Sequence, residues 1–480
     1  MAEAWIIDAC RTPRGIGKKG KGALADEHPQ HLGAAVLKAL QERVGFDTAD
    51  VDDIVFGTSS QRGPQSGDLA RMAALDAGYD VKASGVTLDR FCGSGITSVN
   101  IAAANIMAGM EDLTIGGGTE MMSLAGSGGG KGSPFLDNDN FRLRDVHPQP
   151  HQGVCADTIA TLEGINREDL DKLALVSQQR ADHAIKNGHF DKSLITVYKT
   201  DGSIALDHEE FPRPQTTLEG LGQLKPSFEV IADIELDEQG TTFRKLVKQA
   251  YPDLQIEHFH HAGNSSGVVD GAGAVLLSSP DYAKAHGLKP RARIVAMCNM
   301  GDSPTLMLNA PVPAAKKVLK KAGMSISDID LFEINEAFAV VAEKFIRDLN
   351  LDRDKVNVNG GAMALGHPIG ATGSMLIGTV LDELERRDQQ FGLVTMCAAG
   401  GMAPAIIIER ICSEGRFAAG SGFVATQLRP RPLLRRNHCL KASHSAKHFH
   451  RRLFSRHLNA RPAHPFYIAW VTPDKPFNPL

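Results

Sequence analysis

Apolar positions along this 480-residue chain switch between a helical spacing and short, nearly continuous runs, so helices and buried strands should alternate. Residues 35–40 read as a helix, Val51-Asp52-Asp53-Ile54 follows, and Val55-Phe56-Gly57-Thr58 reads as a strand. The order returns in the second half: a helix over 315–322, then Ile326-Ser327-Asp328-Ile329-Asp330, then the strand Leu331-Phe332-Glu333-Ile334. Downstream the echo continues. A helix from about Ile96 to Met107 leads to a strand from Leu113 to Gly118, and a helix after His367 leads to a strand from Leu393 to Cys397. A pattern used twice predicts two similar α/β halves with mixed sheets covered on both faces.

Boundaries follow from where the echo stops. Residues 1–121 form a first half, completed by about 262–282, and residues 283–411 form a second. Between them, 122–261 is a more polar insertion. It holds an amphipathic helix from Asp169 to Ile185, a glycine-rich surface loop over 126–132, and an acidic, solvated-looking stretch over 229–238. Residues 412–480 change class: basic residues far outnumber acidic ones, histidine and proline recur, and no apolar period persists. We read a disordered appendage or non-native sequence there.

Composition narrows the function without finding it. Hydrophobic content of 42% with 22% charge is ordinary for a globular protein, and the net charge is −4. Residues 1–411 show no arm suited to nucleic acid, and no apolar run is long enough for stable insertion in a membrane. Seven cysteines lack the paired spacing of a zinc or disulfide framework, so a reducing, cytoplasmic setting is expected and no metal is implied.

Chemistry enters at three glycine-rich element ends. Leu88-Asp89-Arg90-Phe91-Cys92-Gly93-Ser94-Gly95 puts a thiol at a helix N-terminus, where free amides and the peptide dipoles favour thiolate. Asn359 to Gly373 places His367 at the entrance of another helix. Leu393 to Met402 ends a buried strand at Cys397, ahead of Gly400-Gly401. Two thiols and an imidazole suffice for a covalent intermediate and its proton transfers. The glycines Gly116, Gly117 and Gly118 have no reactive neighbour in sequence and read as close helix–strand packing.

With Ile334-Asn335-Glu336-Ala337-Phe338-Ala339 added, these motifs together resemble the thiolase family of acetyl-CoA acyltransferases over residues 4 to 410. The resemblance implies a thiolase fold of five αβαβα layers with an inserted loop domain. It also implies reversible thiolysis of 3-ketoacyl-CoA, or Claisen condensation of two acetyl-CoA. Cys92 would carry the acyl group, His367 would take the thiol proton, and Cys397 would be the second acid/base. His367 and a water held by Asn335 would serve the enolate oxygen. The backbone amides of Cys92 and Ala399 would serve the tetrahedral oxygen. Glu336 reads as a hydrogen-bonding support beside Asn335. Ser266, Phe338, Arg213, Met307 and His151 match coenzyme A or acyl contacts. Coenzyme A is the substrate, no cofactor is implied, and a homodimer or homotetramer is expected.

One departure stands out. The family pattern has glycine at 399 and 403 and this chain has alanine at both, so the Ala399 amide can serve only if φ there is negative. A decarboxylating ketoacyl synthase of the same fold would carry histidine at 335 and lack the second cysteine. A non-catalytic coenzyme A or lipid carrier would have no use for Cys92, His367 and Cys397 together. Chain-length preference and physiological direction stay open at this level.

Overall fold

The computed structural model describes residues 2–125 and 136–411; the expectations for the loop over 126–132 and for 412–480 lie outside the described residues. The strands on the main path of the large sheet are β1 Trp5–Arg11, β2 Asp53–Gly57, β3 Val86–Leu88, β4 Leu113–Met121, β5 Val269–Ser278, β6 Ala292–Gly301, β7 Leu331–Ile334, β8 Phe391–Thr395 and β9 Met402–Arg410. The helices that matter here are α1 Pro29–Val44, α2 Leu69–Asp76, α3 Ser94–Met107, α4 Gln152–Glu163, α5 Arg167–Lys186, α6 Pro311–Ala322, α7 Ala339–Asp348 and α8 Thr372–Arg386.

Strand order gives the duplication its physical form. The path runs β7-β8-β9-β6-β1-β5-β4-β2-β3. In one half β2 and β4 are parallel, while β4–β5 and β5–β1 are antiparallel. In the other, β7 and β8 are parallel, while β8–β9 and β9–β6 are antiparallel. The halves meet where Trp5 and Ile6 of β1 pair with Arg293 and Ala292 of β6.

Alternation of side chains then builds the layers. In β2, Ile54 and Phe56 join α1 and α2 in one apolar cluster, while Val55 faces Ile96 and Val99 of α3 in another. In β8 and β9, Leu393 and Ile407 pack with α6 and α7, while Val394 and Ile406 turn toward α3 and α8. The result is helix, sheet, paired helices α3 and α8, sheet, helix. Close approach in the middle layer needs glycine. A Cβ on Gly95 would lie 3.0 Å from Gly373 Cα, and one on Gly116 would lie 2.5 Å from Val99 Cα. The β4 glycines are therefore packing devices, as their sequence suggested.

Three expectations need correction. The strand before Cys397 ends at Thr395, so both Met396 and Cys397 lie beyond the ladder. His367 is not at the helix start: α8 begins at Thr372, five residues on. The acidic stretch is not merely solvated, since Asp233 pairs with Arg244 and Asp237 with Arg144.

Candidate active site

The nucleophile candidate sits on a strained turn. Phe91, just before Cys92, has φ 49°, a left-handed conformation costly for a bulky residue. Local bonds hold it: Arg90 N donates to Ser94 Oγ at 2.8 Å, and Ser94 Oγ donates to Phe91 O at 2.7 Å. The turn packs on the other half, where a Cβ on Gly93 would lie 2.8 Å from Pro404 Cδ and 3.3 Å from Ala398 Cβ. Cys92 is thereby placed next to the segment that follows Cys397.

Electrostatics differ from the sequence expectation for this thiol. Cys92 keeps some exposed surface, yet the protein around it excludes most water. Desolvation pushes it up to about 12, the charge of Glu120 adds to this, and the Cys92 amide opposes it only in part. A helix N-terminus does not outweigh desolvation here, so the resting group is a thiol. Glu120 is fully buried and accepts from Ser59 N, Ser60 N and Gly370 N at 2.8, 3.1 and 2.9 Å. It ties the loop after β2 to the loop carrying His367, a role that sequence reading missed.

His367 is 4% exposed. Its Nδ1 lies 2.6 Å from Thr372 Oγ1, and that hydroxyl donates onward to Pro368 O at 3.0 Å. With its proton used on Pro368, the hydroxyl accepts from Nδ1–H, which leaves the lone pair on Nε2. Nε2 is buried with no protein partner. Burial, and then the charge of Arg14, lower His367 to about 3, so the resting imidazole is neutral. Arg14 shares a small cavity with Glu333, Asn335 and Thr372, and its charge is countered by Glu209 at 3.0 Å.

Cys397 and Asn335 arrive together because β7 and β8 are parallel neighbours, with Ile334 opposite Thr395. Cys397 is 1% exposed; burial raises it, and charge on Cys92 raises it further, so ionising one thiol opposes ionising the other. Asn335 is 1% exposed, and both its Nδ2 and Oδ1 are buried without a partner. Buried polar atoms are normally satisfied, so the unpaired side-chain atoms of Asn335 and His367 are left available to a ligand. Glu336, next to Asn335 in sequence, accepts from Ser177 Oγ at 2.6 Å, Asn357 Nδ2 at 3.0 Å and Met363 N at 3.2 Å.

The condition on residue 399 is met. Ala399 and Ala403 are absent from the residues with positive φ, while Gly400 and Gly401 take that conformation at 76° and 79°. Among the described residues, the Cys92 and Ala399 amides donate to no backbone carbonyl outside the regular elements.

The remaining candidates divide into two groups. Phe338 packs edge-on to Phe228 at 5.7 Å, and Phe228 touches His151 at 5.6 Å; Met307, Phe338 and Cys397 share one apolar cluster. Ser266 and Arg213 instead line a cleft of about 970 Å³. Gly267 is also part of its lining, and the Gly267 carbonyl accepts from His367 N at 2.9 Å. Ser266 N is fixed by Ala337 O at 2.9 Å, and Ser265 pairs with Phe338. One lining residue of the cleft is therefore bonded directly to the histidine loop.

Residues 4–234 match the thiolase N-terminal domain and 288–410 the thiolase C-terminal domain. A steroid 3-ketoacyl-CoA thiolase of Mycobacterium tuberculosis is 39% identical over 419 residues, covering 86% of this chain and 95% of that protein. A 3-ketoacyl-CoA thiolase of Bacillus subtilis is 37% identical over 422 residues, covering 85% and 100%. The crystal structure of the Bacillus anthracis acetyl-CoA acetyltransferase aligns with a TM-score of 0.72 at 32% identity, covering 85% of this chain and 99% of that one. The chain belongs to the thiolase family.

Proposed function

We propose that this thiolase-family acyltransferase cleaves 3-ketoacyl-CoA with coenzyme A, and in reverse joins two acyl-CoA, through an acyl thioester on Cys92. The reading is supported by two protonated thiols, Cys92 and Cys397, the charge of one opposing ionisation of the other, and by a neutral His367 whose Nε2 lone pair has no protein partner. In thiolysis, Nε2 takes the Cys92 proton as Sγ adds to the 3-keto carbonyl. The Cα–Cβ bond breaks, and Cys397 protonates the departing enolate carbon. Incoming coenzyme A returns a proton to Cys397 and attacks the thioester, and Cys92 recovers its proton from His367. Atoms and charge balance with no redox or metal partner.

Two developing oxyanions need fixed donors in a water-poor site. His367 Nε2, once protonated, and an Asn335-held water serve the enolate oxygen. The Cys92 and Ala399 amides serve the tetrahedral oxygen. Phe338, Met307 and His151 would bound the acyl group, and Ser266 and Arg213 the coenzyme A arm. The strand-order repeat supports residues 1–121 with 262–282 as one half, 283–411 as the other and 122–261 as a loop domain. Among the described residues no helix is long and apolar enough to cross a membrane. A cytoplasmic homodimer or homotetramer fits this reading, and sedimentation would distinguish the two.

Asn335 and Cys397 favour this chemistry over decarboxylating condensation. The test is turnover of acetoacetyl-CoA plus coenzyme A to two acetyl-CoA. Cys92→Ser should lose nearly all of it, and normal turnover by that variant rejects the assignment.

A further inference from the structure

The cleft of about 970 Å³ has an uneven charge that the catalytic residues do not explain. Its lining includes Lys18, Lys19 and Arg213 and no aspartate or glutamate. Among the described residues, none of these three makes a salt bridge, although the chain as a whole carries net charge −4. Cations without carboxylate partners facing one cleft favour an anion there.

These cations come from different parts of the chain, and carboxylates hold them together. Glu210 accepts from Ile16 N at 2.7 Å and Ala23 N at 3.1 Å, closing the segment that carries Lys18 and Lys19. Glu209, next to it in sequence, accepts from Arg14 N at 2.8 Å. Gly15 and Ile16 add to the β5 edge opposite Asp270 and Val269, and Gly17 N donates to Val268 O at 2.9 Å. Three residues past Glu210, Arg213 is placed by its amide on Gln178 Oε1 at 2.9 Å. The adjacent acids thus use their charge on loop backbone and buried arginine, and leave the lysines free.

We propose that Lys18 and Lys19 form, with Arg213, a phosphate-binding lip that takes the anionic end of coenzyme A while its thiol end extends toward the histidine loop. This rests on the coenzyme A reading above and adds to it a pair of lysines from the N-terminal half. The lysines act as mobile point charges on a stapled loop, so they select for phosphate and contribute nothing to the bond-making step. Thioesters lacking the nucleotide would gain nothing from them.

Calorimetry with coenzyme A and with pantetheine, which lacks the phosphates, separates the two ends. Wild type should bind coenzyme A more tightly than pantetheine. Lys18→Ala with Lys19→Ala should weaken coenzyme A binding roughly 5–30-fold, and flatten its salt dependence. Pantetheine binding should stay within about twofold. Lys21→Ala, on the same exposed loop but outside the cleft lining, is the charge control and should change neither. Equal loss for both ligands, no loss for coenzyme A, or an equal effect from Lys21→Ala overturns the lip. None of these results bears on whether Cys92 carries an acyl group, which the Cys92→Ser assay decides by itself.

Discussion

Thr372 should control the reactivity of a residue it does not resemble. Its hydroxyl accepts from His367 Nδ1–H at 2.6 Å and donates to Pro368 O, which holds the imidazole with its lone pair on Nε2. Thr372→Val keeps shape and volume but removes the acceptor from a side chain that is 1% exposed. The histidine then has two choices. It can leave Nδ1–H buried and unsatisfied, or shift the proton to Nε2 and present a donor where a base is needed. An unsatisfied buried donor costs about 1–3 kcal/mol, so the competent form should fall roughly 5–150-fold in population. We expect kcat/KM for acetoacetyl-CoA thiolysis to drop by about 10–100-fold, and alkylation of Cys92 by iodoacetamide to slow in parallel. Thr372→Ser restores the acceptor and should recover most of the activity. Melting temperature is followed alongside, because Pro368 O also loses its donor. Thr372→Val with kcat/KM within about twofold of wild type would refute the tautomer argument.

Other outcomes follow from the same geometry. Cys397→Ala should still accept an acetyl group from acetyl-CoA onto Cys92, while thiolysis of acetoacetyl-CoA falls by about 10²–10⁴-fold; equal loss of both half-reactions contradicts the division of labour. Gly361→Ala puts a Cβ 2.3 Å from Glu336 Cδ, so it should destabilise the fold by about 1–3 kcal/mol and loosen the bonds that Glu336 accepts. An unchanged melting temperature would contradict that. Burial opposes ionisation of Glu383, but bonds from Arg386, Asn359 and Arg387 win and lower it from 4.5 to about 2. A depressed carboxyl contributes stability above pH 4.5 that is lost as pH falls toward 2. Its arginine partners are partly exposed, so the contribution is about 1–2 kcal/mol, and Glu383→Gln should flatten the stability loss across that window. A wild-type slope in the variant would assign the acid sensitivity elsewhere.

Much of this was legible in the chain because apolar alternation is local. Val55 against Ile54 and Phe56, or Val394 against Leu393, already reports which face meets which helix layer. The internal echo carried further, since equal element order in two segments became equal strand order. Candidate residues were readable where glycine punctuates an element end, as at Cys92 and Cys397. What escaped depends on contacts across long sequence separations. Nothing near Glu120 announces its bond to Gly370, 250 residues away. Periodicity likewise cannot show Arg14 and Glu209 meeting in the interior. The raised Cys92 thiol was missed for a related reason: a local motif reports the helix dipole but not how closely the second half encloses it. Thr372 stood inside the quoted glycine run, yet its role appears only once the loop folds the histidine back onto it.

Mass spectrometry of the Cys92 peptide tests the covalent account most directly. Mixing the protein with acetyl-CoA and quenching in acid should leave one acetyl group on Cys92, removable by added coenzyme A and absent from Cys92→Ser. An acetyl group on Cys397 instead, or an unmodified Cys92 peptide while acetoacetyl-CoA is being turned over, would contradict it.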